Sequence, residues 1–251
     1  MSNELEILQS FIPRLSAFYQ GLQSKIFEEQ KQKLNLILPY LIKLENENRE
    51  FKRKHLPDFN ILEIMRYGNK ETRLHTPFLR YLLDPNESHY LDIMFATKFI
   101  ELCYKDFDTN EVKQVEVWEE KFFGEYGRID LFIRFSYKGR FHFIAVENKL
   151  DAGDQKDQLK RYYNVLLSYT NDVSRTRLIY LTKDGRDPKI PYSISTQLFQ
   201  ELSKTNQLKM ISYKIEITSL VNYLLKHYKD NSLTNNFTAT LIQYHNIISK
   251  F

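Results

Sequence analysis

A chain of 251 residues with a single cysteine, Cys103, has the length to bury a sizeable core and excludes both a disulfide framework and a Cys-rich zinc module. Its 36 Lys and Arg against 32 Asp and Glu give a formal charge of +4, which tolerates a polyanionic partner without demanding one. No stretch reaches the length of a membrane span, and the opening MSNELEILQSF lacks the basic-then-apolar pattern of a secretory signal, so a cytoplasmic protein with no membrane partner is expected.

Along residues 4–54, Leu5, Leu8, Ile12, Leu15, Tyr19, Leu22 and Ile26, then Leu34, Leu38 and Leu41, recur at helical spacing between charged residues. The pattern predicts two amphipathic helices in an extension over residues 1–56, a surface suited to a homodimer or a partner helix. Pro57 breaks the pattern, and a second domain is expected over 57–251. A helical reading resumes from Phe59 to Leu83, interrupted at Gly68-Asn69 and at Pro77, and another helix runs from Leu91 to Tyr104. Cys103 is expected as a buried thiol in that helix.

Strands follow. Val112 to Trp118 reads as one whose spacing admits a bulge, Arg128 to Phe135 as a clearer one, and Phe141 to Leu150 as a third joined to it by the turn Ser136 to Arg140. Asp151 to Asp154 forms a turn with Asp154 as a helix cap, and the spacing predicts a helix over Gln155 to Tyr169. Arg177 to Thr182 is a short apolar strand followed by a loop rich in breakers. Met210 to Ile217 reads as a last strand, Thr218 or Ser219 as the cap of a helix over Leu220 to Tyr228, and Leu233 to Lys250 as the final helix. This order suits an α/β sandwich with a mixed central sheet flanked by helices. The 17 Tyr and 18 Phe are read as its core rather than as a base-stacking platform.

Three charges stand inside otherwise apolar strands: Asp130 in Arg128-Ile-Asp-Leu-Phe-Ile, and Glu147 with Lys149 in Ile144-Ala-Val-Glu-Asn-Lys-Leu. Alternation along a strand points Glu147 and Lys149 to one face, and pairing of adjacent strands can bring Asp130 beside them. Two carboxylates at one sheet edge repel unless a cation lies between them, and oxygen-only ligation with room for water and phosphate suits Mg²⁺. A neighbouring ammonium can orient the attacking water and stabilise charge on the phosphate, so the three residue types suffice for phosphodiester hydrolysis. Spacing alone equally allows a salt bridge between Asp130 and Lys149, with Glu147 exposed where its strand ends.

The residues that follow narrow the choice. Gln158 and Tyr162 lie four apart and share a helix face, directed at the carboxylates by the short connection after Lys149. The ordered set Asp130, Glu147-Asn148-Lys149, Gln158-Leu-Lys160-Arg161-Tyr162 resembles the PD-(D/E)XK nuclease superfamily, with the Gln-x-x-x-Tyr extension of its RecB-like branch. Glu71-Thr-Arg-Leu-His75, Leu83-Asp84-Pro85, His89, Gly127-Arg128-Ile129-Asp130, Glu147 through Gln155, Tyr180 through Gly185 and Ile211 through Lys214 are similar to a bacterial family of uncharacterised PD-(D/E)XK proteins. The resemblance spans roughly Phe59 to Ile217, and the proline of the superfamily's name is replaced by Ile129.

That resemblance implies a restriction-endonuclease-like core in which Asp130, Glu147 and Glu71 hold Mg²⁺, for which Mn²⁺ can substitute. It implies that Lys149 acts on the water or the transition state and that Gln158 orients the site with the support of Tyr162. Lys160 and Arg161 lie beside the site as candidate phosphate contacts, or as an ordinary solvated helix face. The implied activity is a metal-dependent nuclease cutting DNA; the alternative is a nucleic-acid-binding or scaffold protein that keeps the fold without cleavage. His75 and His89 lack zinc-ligand spacing and are read as hydrogen-bonding residues.

Overall fold

Runs of β-branched and aromatic residues between Val112 and Ser212 pair into one five-stranded sheet in the order β1-β2-β3-β4-β5. The computed structural model describes residues 2–55, 73–104, 107–229 and 235–251. In chain order the described elements are α1 (Ser2–His55), α2 (His75–Leu83), α3 (Met94–Cys103), β1 (Val112–Phe122), β2 (Arg128–Tyr137) and β3 (Arg140–Lys149). There follow α4 (Gln158–Tyr169), β4 (Thr176–Thr182), α5 (Thr196–Lys204), β5 (Leu208–Ser212), a π-helical turn (Tyr213–Ile217), α6 (Thr218–Lys229) and α7 (Asn235–Ile248). The chain divides into two units, Met1–Phe51 and Lys52–Phe251.

β1, β2 and β3 are antiparallel neighbours, and β3, β4 and β5 run parallel, so the sheet is mixed. Both faces of its centre are covered, which is why β3 and β4 read as nearly continuous apolar runs. On one face Leu131, Ile133, Ile144, Val146, Ile179, Leu181 and Ile211 pack with the apolar sides of α2, α3, α6 and α7. On the other, Phe132, Phe143, Ala145, Leu178 and Tyr180 meet Leu159, Tyr162 and Leu166 of α4 and Leu202 of α5. Each such side chain contributes about 1.5–3 kcal/mol on burial. Strand alternation then assigns Glu147 and Lys149 to the α4 face with Phe143 and Ala145, and Asn148 to the opposite face.

Several elements differ from the sequence expectation for physical reasons. Residues 2–55 form one helix in place of two. The segment Glu28 to Lys33, where the apolar spacing slips, consists wholly of strong helix formers, and Lys31 lies 3.5 Å from Glu28. Of the helix expected over Phe59 to Leu83, residues 56–72 lie outside the described residues; Pro77 sits in the first turn of α2, where its missing N–H costs nothing, and does not interrupt it. The bulge in β1 is present between Lys113 and Glu116. Helix α4 starts at Gln158 after Asp157, whose φ is 53°, so Asp154 is not its cap. The Asp154 carboxylate instead accepts from the Tyr180 hydroxyl at 2.7 Å and the Lys189 amide at 2.6 Å.

Two further corrections concern the C-terminal half. Helix α5 occupies part of the expected loop, capped by Ser195, whose hydroxyl accepts the Leu198 amide at 3.3 Å. β5 ends at Ser212, and residues 213–217 are helical. Ser212, not Thr218 or Ser219, is the cap: its hydroxyl accepts the Ile215 amide at 3.0 Å while Glu216 returns to accept the Ser212 amide at 2.8 Å. The widened first turn places the reciprocating glutamate four residues on rather than three.

Candidate active site

The β2–β3 ladder ends at Leu131↔Val146, and one step further along the same register Asp130 stands opposite Glu147. There the ladder is replaced by a side chain, as the Asn148 amide donates to Asp130 Oδ2 at 2.7 Å. Glu147 is fully buried on the α4 face and its Oε1 lies 2.6 Å from Lys149 Nζ, itself only 6% exposed. The salt bridge is therefore made by Glu147 and Lys149, and Glu147 is not exposed at its strand end. Asp130, Glu147 and Lys149 are brought together.

The electrostatics follow from that proximity. Desolvation and the neighbouring Glu147 carboxylate push the Asp130 carboxyl well above its ordinary value, with Glu120 adding to the rise, while the Asn148 amide and Lys149 oppose it. A divalent cation between two such carboxylates removes the repulsion that otherwise favours a proton there. The oxygen-only donor pair fits Mg²⁺, which binds through one or two carboxylates and keeps several waters. Among the described residues no three His, Cys, Asp or Glu side chains are grouped to hold a metal together. Glu71, the expected third carboxylate, lies outside the described residues.

Gln158 and Tyr162 are both buried on the α4 face turned to the sheet. The Tyr162 hydroxyl donates to the Arg128 carbonyl at the start of β2, and Gln158 Nε2 donates to Tyr162 at 3.4 Å. Gln158 Oε1 accepts from the Gln155 amide at 3.2 Å, bracing the loop that enters α4. Burial, then the charges of Glu147 and Asp130, push the Tyr162 phenol far up, so it is a neutral donor. Lys160 is exposed, and the half-buried Arg161 donates to the Tyr126 carbonyl at 3.3 Å, the Lys156 carbonyl and Gln155 Oε1 at 3.2 Å.

One contributor escaped the sequence reading. Glu120 falls between the pairs Glu119↔Leu131 and Lys121↔Ile129, opposite Asp130 on β1, and has a φ of 48°. The carboxyl doublet Glu119-Glu120 inside a strand was the available signal, but the expected strand stopped at Trp118. His75 and His89 are hydrogen-bonding residues as expected: His75 Nδ1 lies 3.2 Å from the Tyr244 hydroxyl, and His89 Nδ1 accepts the Leu91 amide at 2.9 Å. Cys103 is buried, and burial pushes its thiol up to about 12, which makes it inert.

A mixed sheet flanked by helices, with two carboxylates and a lysine at the ends of adjacent central strands, defines a restriction-endonuclease-like α/β fold. A family model described as the PD-(D/E)XK nuclease superfamily matches residues 59–246, and the chain belongs to that superfamily. Neither a curated protein nor a solved structure matches it.

Proposed function

We propose that the protein is a Mg²⁺-dependent nuclease hydrolysing phosphodiester bonds in DNA. One observation carries this reading: two carboxylates, Asp130 and a fully buried Glu147, lie together where the β2–β3 pairing ends, with the Lys149 ammonium 2.6 Å from Glu147. Burying ions costs several kcal/mol each, a cost a purely structural strand end has no reason to carry. Asp130 and Glu147 would hold the cation, with Glu71 a further candidate ligand. The cation supplies Lewis-acid activation of water and charge neutralisation at the scissile phosphate. Lys149 then donates hydrogen bonds toward the attacking water and the phosphate oxygens as negative charge builds on them. Tyr162 and Gln158 keep α4 in register with β2 below the reacting groups, and Lys160 and Arg161 are the nearest candidates for phosphate contacts outside the site.

The test is incubation of supercoiled, linear and single-stranded DNA and of RNA with the protein in Mg²⁺, Mn²⁺ or EDTA, alongside Asp130→Ala and Lys149→Ala. Cleavage of DNA that requires the metal and is lost in both variants supports the reading. Retained binding without cleavage on any substrate selects the scaffold alternative, and cleavage of RNA alone redirects the substrate.

A second observation bears on assembly. Leu15, Tyr19, Leu22 and Ile26 and, after an eight-residue step, Leu34, Ile37, Leu41 and Leu44 form two runs with the alternating three- and four-residue steps of a coiled-coil seam, and are 45–62% exposed. At roughly 100 Å² each, these eight cover about 800 Å², the size of one side of a stable interface. We read α1 as the contact with a second copy of the chain. Light scattering of the full chain gives a dimer, and Leu22→Glu with Leu41→Glu a monomer; a monomeric wild type at tens of micromolar rejects the reading.

A further inference from the structure

Between Glu147 and Lys149, Asn148 points to the other face of the sheet, where all of its polar groups are engaged. Its Nδ2 donates to Thr76 Oγ1 at 2.8 Å, and its Oδ1 accepts from the Tyr213 hydroxyl at 3.1 Å. Asn148 is 1% exposed and Thr76 equally so, while Tyr213 is fully buried. The set continues outward: Tyr213 hydrogen-bonds Tyr244, and Tyr244 lies 3.2 Å from His75 Nδ1. The His75 ring packs 5.1 Å from Tyr213 and 5.4 Å from Phe251. Two separate elements, the first turn of α2 and the π-helical turn, the latter backed by α7 through Tyr244, thus meet on the residue whose main chain also holds the Asp130 carboxylate.

We propose that Asn148 is a positioning residue: its side-chain clamp by Thr76 and Tyr213 fixes the main-chain amide that sets Asp130 at its distance from Glu147. The role of that distance in metal binding rests on the nuclease reading above. The geometric reason is that β2 and β3 have stopped pairing with each other through their main chains at this point. Each is still paired on its outer side, β3 with β4 through Asn148↔Leu181 and β2 with β1 through Lys121↔Ile129, but across the gap between them the link is the Asn148 amide to Asp130. Glu147 and Asn148 are consecutive, and any shift of the amide plane between them moves both carboxylates at once. Burial leaves the clamp no water to substitute for a lost partner, so each bond is exacting in direction. Residues on the far face of the sheet, none of which touches substrate, thereby set the spacing of the two metal-holding side chains.

The experiment compares Thr76→Val, Tyr213→Phe and Thr76→Ser with the wild type by two readouts that need no turnover. One is hydrogen exchange of the Asn148 amide by NMR, and the other is Mg²⁺ affinity by calorimetry, with melting curves as a folding control. Thr76→Val and Tyr213→Phe each speed Asn148 exchange about tenfold relative to the Ile144 amide and weaken Mg²⁺ binding about tenfold, the equivalent of one buried hydrogen bond. Thr76→Ser, which keeps the hydroxyl, restores both. An Asn148 amide as protected in Thr76→Val and Tyr213→Phe as in the wild type overturns the proposal, as does a serine variant no better than valine. A wild type that binds no Mg²⁺ sinks the nuclease reading instead, and the exchange comparison still decides whether Asn148 is held in this way.

Discussion

The two faces of β3 bury polar side chains one residue apart and treat them in opposite ways. On the α4 face Glu147 and Lys149 are buried as ions with Asp130 nearby; on the other, Asn148 is buried as a neutral amide with Thr76 and Tyr213. A satisfied neutral amide contributes modestly to stability and specifies geometry, whereas clustered carboxylates work against folding. The same strand therefore concentrates electrostatic cost on one side and positional accuracy on the other. Which side a substitution touches decides whether it alters chemistry or architecture.

Asp130→Asn breaks the charged face most severely. On the proposed nuclease reading, cleavage is expected to fall by at least about 10³-fold, some 4 kcal/mol of transition-state stabilisation, because the cation would lose a ligand while the Asn148 amide keeps an acceptor. Stability moves the other way. The folded Asp130 carboxyl titrates above its unfolded value, so its ionised form opposes folding once pH exceeds the ordinary carboxylate range, and the penalty grows up to the folded pKa. Urea melts in EDTA at pH 8 are expected to show Asp130→Asn more stable than the wild type, and Mg²⁺ to narrow that gap. An Asn variant that is both inactive and less stable in EDTA would mean that Asp130 is structural.

The charged face was largely legible in the sequence because ions inside apolar strands stand out whatever the fold. Asp130, Glu147 and Lys149 fell together as alternation required, and the Gln158-Tyr162 pair shares the expected helix face. The neutral face was not legible. Asn148 and Thr76 are 72 residues apart and Tyr213 a further 65 from Asn148, and no local pattern marks a hydrogen bond that only the closed sheet creates. The boundaries that moved did so where side chains compete with local propensity. Ser212 and Glu216 convert an apparent strand into a capped turn, and Ser195 begins a helix whose apolar residues, Leu198 and Leu202, followed two prolines that argued for loop.

Acid provides the next sharpest contrast, because it charges the neutral face while discharging the other. Burial, with Lys183 assisting and Asp151 opposing, lowers His75 from 6.5 to about 4, so at pH 7 it is neutral beside Tyr244. Its folded pKa lies below the unfolded one, so the contribution to stability is complete above about pH 6.5 and is lost as pH falls toward 4. The loss is about 3 kcal/mol at most. His89, lowered to about 4 mainly by burial, adds a similar share. The urea midpoint of the wild type is expected to fall between pH 6.5 and 4 as His75, His89 and His142, which burial also lowers to about 4, become charged, a fall partly offset by protonation of the raised Asp130 carboxyl. His75→Phe, which keeps ring packing against Tyr213 and Phe251, is expected to make the fall smaller. An unchanged fall in His75→Phe would exclude His75 as a source.

The smallest effect tests whether the two faces are as separate as β3 makes them look. Tyr162→Phe removes one hydroxyl from the α4 side, leaving the Arg128 carbonyl and Gln158 Nε2 each short of a partner at the entrance to β2. The ring stays packed, so the stability loss is that of these two hydrogen bonds, about 2 kcal/mol, seen as a lower urea midpoint at constant slope. Because Arg128 precedes Asp130 by two residues, slack there reaches the carboxylate from the strand's other end, opposite to the Asn148 amide. The Tyr162 hydroxyl also hydrogen-bonds the Glu147 side chain, so if the Asn148 clamp alone fixes Asp130, Tyr162→Phe weakens Mg²⁺ binding only through Glu147 and the effects of Tyr162→Phe and Thr76→Val add in the double variant. A double variant that departs from the sum of the two would show that Asp130 is held from both ends, the Tyr162 anchor on one side sharing with the far face the task of spacing the carboxylates.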